Sequence, residues 1–174
     1  MLFRSANGKL LGSFERLSQQ MQQKKQQLVA VMSGGNFDKN FQPEGLYVEK
    51  SVFLKSLNQK TGQGNFYLPP NGVFYSTKNY FNIVKSSDFN LQESVEFAQQ
   101  AGPMLLENGQ INPNFGTTST NFQVRNAIVL FDAETIGFVI SDDKVSFHEL
   151  ASFCQQIGAK QALCLDSGDR KSVV

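Results

Sequence analysis

The sequence has few of the residues that mark several protein classes. Its 174 residues include two cysteines, one histidine and no tryptophan, and charged residues make up 18% of the chain. Two cysteines exclude a disulfide-stapled scaffold, and a lone histidine excludes the usual His/Cys zinc box and argues against a Ser-His-Asp site. No apolar run approaches the roughly 18 residues that a membrane span needs, so no membrane span is predicted.

Charge of one sign is also missing. Sixteen basic residues stand against fifteen acidic ones, which gives a formal net charge of +1. Domains that bind nucleic acid or anionic membranes usually carry a basic excess, so we predict no nucleic-acid partner. The hydrophobic fraction of 40% is sufficient for one core, and the length suits a single globular domain.

Helical periodicity occurs in three places. Apolar residues recur at helical spacing across residues 13–27, and residues 146–156 begin with the capping-box pair Ser146 and Glu149. A third, short helix is predicted for residues 91–100. Cys154 falls in the second helix and Cys164 in a later apolar strand, and both are predicted to be buried free thiols.

Most of the remaining chain predicts strands and turns. The fold class is therefore α+β, with a twisted mixed β-sheet and two or three packed helices. The Asn108-Gly109 pair predicts a tight hairpin. The predicted strands are residues 28–32, 45–49, 51–57, 66–68, 73–75, 81–84, 104–107, 110–112, 124–131, 136–140 and 162–165.

A glycine-rich turn follows the first predicted strand. Ser33, Gly34, Gly35 and Asn36 suit a backbone cradle for an anion or a sugar, although a tight structural turn is the alternative. The GK[ST] continuation of a P-loop is missing, so a nucleotide triphosphate site is not predicted.

Charged residues at strand ends are the other site candidates. Asp166 ends a buried strand, where ligands tend to lie, and the alternative is a turn residue. Arg125 opens an apolar strand, where a guanidinium could bind phosphate or form a structural ion pair. Asp142 and Asp143 could form a metal or acid pair, but a solvated turn is the more common role of adjacent carboxylates.

Several segments, taken in order, resemble the phosphodiester glycosidase family. The family includes the lysosomal enzyme that removes N-acetylglucosamine from a phosphodiester, and bacterial proteins of exopolysaccharide synthesis. The resemblance extends over nearly the whole chain, from about residue 3 to residue 167. The matching segments are residues 11–14, 29–37, 45–49, 64–68, 70–74, 100–105, 125–127, 138–141 and 162–166.

The resemblance implies hydrolysis of the glycosidic bond of a sugar-1-phosphodiester, which releases the sugar and a phosphomonoester. Its substrate would be a small molecule or a glycan that carries this group. The resemblance implies that Asp166 is the catalytic carboxylate and that Arg125 holds the phosphate. The substrate-binding positions it implies are Ser33, Gly34, Gly35, Asn36, Asn71, Gly72, Gln100 and Ser119.

No cofactor is expected. A divalent cation would be compatible with this chemistry, but no ligand set in the sequence demands one. The resemblance implies a periplasmic or secreted location, and this chain carries no segment that reads as a secretory signal.

Two alternatives remain open. One is a non-catalytic module that binds carbohydrate or phosphoglycan on the same fold, which is favoured because Ser33 stands where the family commonly has Asn. The other is an envelope protein of exopolysaccharide assembly, favoured by the Gln- and Asn-rich faces. Glu49 is a second carboxylate, for which a place on a strand surface is expected.

The chain boundaries give a further expectation. Residues 1–168 are expected to be a phosphodiester glycosidase-like domain that is truncated at both ends, hence incomplete. Residues 169–174 are expected to be a non-native read-through tail, because the start of a common sequencing adapter can encode these six residues and the family continues differently after Asp166.

Overall fold

The computed structural model describes residues 11–38, 40, 42–91 and 94–167. The chain divides into two compact units, one of residues 1–33 with 171–174 and the other of residues 34–170. The expected tail of residues 169–174 and the expected domain end at residue 168 lie outside the described residues.

The described part of the first unit contains one helix. Helix α1 (Phe14–Gln23) begins after Ser13, whose Oγ accepts a hydrogen bond from the Arg16 backbone N–H at 3.3 Å. It ends before the predicted residue 27, since Lys25 has a left-handed φ of 56°. The predicted strand at residues 28–32 is wrong, and Val29 is 81% exposed. An apolar run becomes a strand only where a neighbouring strand pairs with its backbone, and here no described strand does.

The described part of the second unit contains two five-stranded sheets. The first has the strand order β2-β1-β5-β3-β4, and the second has the order β7-β6-β10-β8-β9. Every pairing between described strands is antiparallel, so two antiparallel sheets replace the single mixed sheet, and the α+β class is confirmed. The strands are β1 (Tyr47–Glu49), β2 (Val52–Lys55), β3 (Gly72–Ser76), β4 (Phe81–Lys85), β5 (Phe97–Ala101), β6 (Met104–Glu107), β7 (Gln110–Ile111), β8 (Arg125–Leu130), β9 (Ile136–Ile140) and β10 (Gln161–Ser167).

Two further elements differ in secondary structure from the sequence prediction. The helix predicted for residues 91–100 is wrong, because Phe97–Ala101 is the central strand β5, whose backbone pairs with β1 and β3. Pairing on both sides outweighs the local helical pattern. The strand predicted for residues 66–68 is a short 3-10 helix, Asn65–Tyr67. It precedes Pro69 and Pro70, which have no N–H to donate to a ladder.

The two sheets cross at a steep angle. At one end of β4, Lys85 Nζ lies 2.7 Å from Glu107 Oε1 in β6. At the other end, the Phe81 N–H donates to the Ala133 carbonyl, beyond β8, at 2.8 Å. Since β6 and β8 lie on either side of β10, β4 runs across the strands of the second sheet, as in orthogonal sheet packing.

The inner face of the first sheet lies over β10. A methyl group at Gly72 would stand 2.8 Å from Met104 Cγ and 3.1 Å from Leu163 Cδ1, so β3 packs directly on the second sheet. Strand β10 packs against β4, β3 and β5. Strand β4 crosses near the start of β10, and the next strands of the first sheet are β3 and then β5. Strand β5 therefore lies towards the carboxyl end of β10, where Asp166 stands.

Helix α2 (Phe147–Gln156) covers the other face of the second sheet. Ser146 and Glu149 form the predicted capping box, with N–H···O distances of 2.8 and 3.1 Å. Cys154 and Cys164 are thiols without a disulfide and are buried in this core, as predicted, and burial together with the neighbouring Cys164 raises the pKa of Cys154 to about 12. Of the described helices, none combines the length and apolarity that a membrane crossing requires.

The turn between β1 and β2 is strained, and this yields a stability prediction. Lys50 and Ser51 have φ values of 51° and 61°, a region that favours Asn and Gly. We expect the double substitution Lys50→Asn, Ser51→Gly to raise the free energy of unfolding by about 1–2 kcal/mol in denaturant titration.

The Asn108-Gly109 hairpin turn supplies the control. It already has the favoured pair, with φ values of 50° and 75°. We expect Gly109→Ala to lower stability by about 1 kcal/mol. A destabilised Lys50→Asn, Ser51→Gly variant would contradict the account of the first turn.

Candidate active site

A bulge in β10 decides which way Asp166 faces. Cys164 keeps the regular register with β8, but Asp166 pairs with Asn126, so Leu165 is an extra residue in β10. In a regular ladder Asp166 would stand opposite Arg125. Because paired residues share a face and faces alternate along a strand, the bulge turns Asp166 to the inner face, opposite to that of Arg125.

A hydrogen bond fixes the backbone of Asp166, while the residue remains partly accessible to solvent. Its N–H donates to Asn126 Oδ1 at 2.8 Å, and Asn126 is itself buried. The preceding residues 162–165 are all buried, whereas Asp166 is half-buried. A partly solvated carboxylate therefore stands at the end of a buried strand, beside the inner face of β5.

The glycine-rich turn borders the same inter-sheet space. A methyl group at Gly35 would lie 2.7 Å from Gln99 Nε2, so only a glycine fits there without moving that side chain. By register with Gly72, Gln99 lies on the inner face of β5. The carbonyl of Asn36 accepts a hydrogen bond from the Glu44 N–H at 2.9 Å, which anchors the turn. Gly34 is exposed, and Ser33 is the last residue of the first unit.

Arg125 lies on the helix side of the second sheet and is 1% exposed. Its Nε donates to the Val145 carbonyl at 2.8 Å, and Nη2 donates to the Asn121 carbonyl at 2.8 Å. Its Cζ stands 3.6 Å above the centre of the Phe147 ring. Within the described residues no carboxylate lies within ion-pair distance of this guanidinium, so the structural ion pair considered above is not formed there.

Burial lowers the pKa of Arg125, and a smaller effect of the neighbouring Cys164 acts in the opposite direction. The guanidinium stays cationic, since arginine does not deprotonate in proteins.

Two buried polar atoms have no hydrogen-bond partner within the described residues. They are Asn36 Oδ1, an acceptor, and Arg125 Nη1, a donor. Buried polar atoms are normally paired with protein or with bound water. Both unpaired atoms therefore have capacity for a ligand, and both belong to residues singled out from the sequence.

Asn71 and Gln100 form a separate network on the outer side of the first sheet. Gln100 Oε1 accepts from the backbone N–H groups of Leu46 and Asn58 at 3.1 and 2.8 Å. Gln100 Nε2 donates to the Asn58 carbonyl at 2.8 Å and to Asn71 Oδ1 at 3.3 Å. Asn71 Oδ1 also accepts a short hydrogen bond from Ser86 Oγ. These contacts fix the loops at Asn58 and Asn71 to β5.

Gln100 therefore gives a stability prediction. Gln100→Leu keeps the side-chain volume but removes the partners of the buried Leu46 N–H and of the N–H and carbonyl of the half-buried Asn58. We expect the free energy of unfolding to fall by about 2–4 kcal/mol in denaturant titration. Gln99→Leu, on the half-buried inner face, is the matched control and should cost less than about 1 kcal/mol. Equal losses would contradict the structural role of Gln100.

Ser119 supports Arg125 indirectly. Its Oγ accepts from the Asn121 N–H at 3.3 Å, and the Asn121 carbonyl in turn accepts from Arg125. Sequence reasoning gave no role to Asn126 or Gln99. Asn126 directly follows Arg125 in β8, so strand alternation places the Asn126 side chain on the inner face. The bulge in β10 brings Asp166 to that same face.

The residues predicted from the sequence thus fall into three places. The space between the sheets is bordered by Gly35, Asn36 and Asp166. Gly72 also lies on this inner face. Arg125 and Ser119 lie on the helix side, and Asn71 and Gln100 lie on the outer side of the first sheet. The catalytic and substrate-binding roles of these residues stay predictions.

Acidic and thiol side chains do not cluster around a cation in the described ranges. There, no group of three or more His, Cys, Asp or Glu side chains is arranged to hold a metal ion. Asp142 and Asp143 are exposed in the turn after β9, as expected of a solvated turn. The expectation that no cofactor is needed stays a prediction.

Comparisons with known proteins agree with this architecture. The uncharacterized protein YigE of Escherichia coli K12 is 32% identical over 167 residues, a match that covers 95% of this chain and 65% of YigE. The catalytic domain of zebrafish N-acetylglucosamine-1-phosphodiester alpha-N-acetylglucosaminidase, auto-inhibited by its pro-peptide, has a similar fold. Its TM-score is 0.56 at 19% identity, over 78% of this chain and 50% of that domain.

A hypothetical protein from Synechocystis also shares the fold, with a TM-score of 0.50 at 14% identity over 87% of this chain and 48% of that protein. The chain thus spans 65% of the length of its curated relative and about half of each solved structure. The family model for phosphodiester glycosidases matches residues 26–174. The chain belongs to the phosphodiester glycosidase family.

Proposed function

We propose that the protein hydrolyses the glycosidic bond of a sugar-1-phosphodiester. Water attacks the anomeric carbon, the bond from that carbon to the phosphate oxygen breaks, and the electron pair leaves with the phosphomonoester. The observation that carries the proposal is Asp166, an accessible carboxylate at the end of a buried strand within this family's fold.

Asp166 would stabilise the positive charge that develops on the sugar ring. Cleavage at the anomeric carbon passes through an oxocarbenium-like transition state, which a carboxylate stabilises by charge or by covalent attack. A phosphate ester is a better leaving group than a sugar alcohol, so the reaction depends less on a strong general acid at the departing oxygen.

The two unpaired polar atoms support the substrate assignment. Arg125 Nη1 can donate to a phosphate oxygen, and its guanidinium is already fixed by backbone carbonyls, which lowers the ordering cost. Asn36 Oδ1 can accept from a sugar hydroxyl or amide N–H. Arg125 opens β8 at the same end of the sheet as Asp166 but on the opposite face, so a substrate that contacts both residues passes around the ends of β8 and β10.

The biological setting belongs to the same proposal. We place the substrate among glycans or sugar nucleotides of a bacterial envelope, with exopolysaccharide synthesis as the process and the periplasm or exterior as the location. The family's glycan chemistry and the Escherichia coli relative support this setting.

Phosphorus NMR of a panel of sugar-1-phosphodiesters, including nucleotide sugars, tests the proposed function. We expect the phosphodiester signal to be replaced by that of a phosphomonoester, with one free sugar released per phosphate. Binding of these compounds without turnover would instead favour the non-catalytic carbohydrate-binding alternative. That alternative is also favoured by Ser33, which stands where the family commonly has Asn.

A further inference from the structure

An exposed phenylalanine lies on the same sheet face as Asp166. Asp166 pairs with Asn126 on β8, and Asn126 pairs with Ile140 on β9, so these three residues form one row across the inner face. Phe138 pairs with Ile128 in the adjacent row and shares that face. Strand β9 is the edge of the sheet.

The exposure of Phe138 sets it apart from its neighbours. Phe138 is 65% exposed, the largest value among the described phenylalanines, whereas Ile128 beside it is 2% exposed. Its strand neighbours Gly137 and Val139 face the core under α2, where Val139 packs. The ring therefore lies open beside the row that contains Asp166.

The spacing fits a ligand longer than one sugar. Two strand steps of about 4.8 Å and two residues of about 3.3 Å put the Cα atoms of Phe138 and Asp166 roughly 12 Å apart. A sugar ring attacked at Asp166 would not extend to Phe138, but the next ring of a glycan would.

We infer that Phe138 is a sugar-stacking subsite for a second ring of the substrate, next to the ring whose bond is cleaved. The inference rests on the proposed function, because the subsite continues the row of Asp166. An aromatic face packs well against the apolar C–H face of a sugar ring, and the 65% exposure of Phe138 leaves its ring accessible to one. The substrate class is therefore an oligosaccharide phosphodiester.

The absence of tryptophan from the chain allows a direct test. Phe138→Trp introduces a single tryptophan at the subsite, and Phe153→Trp places one on α2, where Phe153 is 48% exposed. We expect the emission of Phe138→Trp to shift and saturate on addition of the 1-phosphate of an N-acetylglucosamine disaccharide. Phe153→Trp should not respond.

Affinity supplies the second readout. We expect the wild-type chain to bind the disaccharide 1-phosphate about tenfold more tightly than the monosaccharide 1-phosphate, and Phe138→Ala to lose this difference. Equal wild-type affinities, no binding of the disaccharide, or an unchanged difference in Phe138→Ala would overturn the inference. Saturation of Phe138→Trp by octyl phosphate in place of the disaccharide would also overturn it, and would mark a site for an alkyl chain.

These readouts need no turnover, so the two proposals fail separately. Tight disaccharide binding that depends on Phe138, without any hydrolysis, would refute the proposed function and keep the subsite. Hydrolysis of phosphodiesters with the same kcat/KM for one and two sugars, in wild type and Phe138→Ala, would refute the subsite and keep the function.

Discussion

Replacing Asp166 by Asn is expected to lower kcat on a sugar-1-phosphodiester by at least about a thousandfold. The substitution removes the negative charge that would stabilise the oxocarbenium-like transition state, and a loss of about 4 kcal/mol in transition-state stabilisation corresponds to this factor. The backbone hydrogen bond from Asp166 N–H to Asn126 is retained, so the free energy of unfolding should change by less than about 0.5 kcal/mol.

The exposed Asp142 provides the matched control. Asp142→Asn removes one carboxylate from the turn after β9 and should leave both kcat and stability unchanged. Steady-state kinetics together with denaturant titration on all three proteins separates catalysis from folding. If Asp166→Asn kept more than a tenth of the wild-type kcat, Asp166 would not be the catalytic carboxylate.

Replacing Arg125 by Met is expected to have the largest effect on stability. The variant fills much of the same volume, but it removes the hydrogen bonds that the guanidinium donates to the carbonyls of Val145 and Asn121. It also removes the cation from the Phe147 ring. Two lost hydrogen bonds from a charged donor and one lost cation–π contact predict a decrease of about 3–5 kcal/mol in the free energy of unfolding.

Denaturant titration measures this loss, with Lys144→Met as the control at an exposed cation before α2. Activity measured well below the unfolding transition then shows the role of Nη1, the donor that has no partner in the protein. An Arg125→Met variant with wild-type stability but no turnover would contradict the structural role and leave only the substrate contact.

Local chemistry made several elements of the fold predictable. The Asn108-Gly109 pair adopts the positive φ angles that its hairpin requires, and Ser146 with Glu149 forms the capping box at the start of α2. In these cases the determining interactions lie within a few residues of one another, so the sequence pattern contains them.

Elements that depend on distant partners were predicted less well. Phe97–Ala101 is a strand because β1 and β3 pair with both of its edges, which no pattern within residues 91–100 records. The apolar run at residues 28–32 has the composition of a strand but no described strand beside it. The steep crossing of the two sheets depends likewise on contacts such as that between Lys85 and Glu107.

The candidate site, too, was predictable only where local sequence determines it. The sequence placed Arg125 and Asp166 at the ends of apolar strands, and in the structure these strands are neighbours. The bulge at Leu165 places them on opposite faces, and one extra residue in a ladder leaves no mark in a single sequence. The row that joins Asp166 to Asn126 and Ile140 follows from that register, and so does the place of Phe138.

The central claim is that Asp166 supports cleavage at the anomeric carbon rather than at phosphorus. Hydrolysis of a sugar-1-phosphodiester in water enriched in the heavy oxygen isotope tests it most directly, because the label marks the atom that water attacks. The account predicts that the phosphomonoester stays unlabelled, because its oxygen comes from the substrate, and that Asp166→Asn lowers the rate of its release by at least about a thousandfold. Label in the phosphomonoester would show attack at phosphorus and would contradict the account.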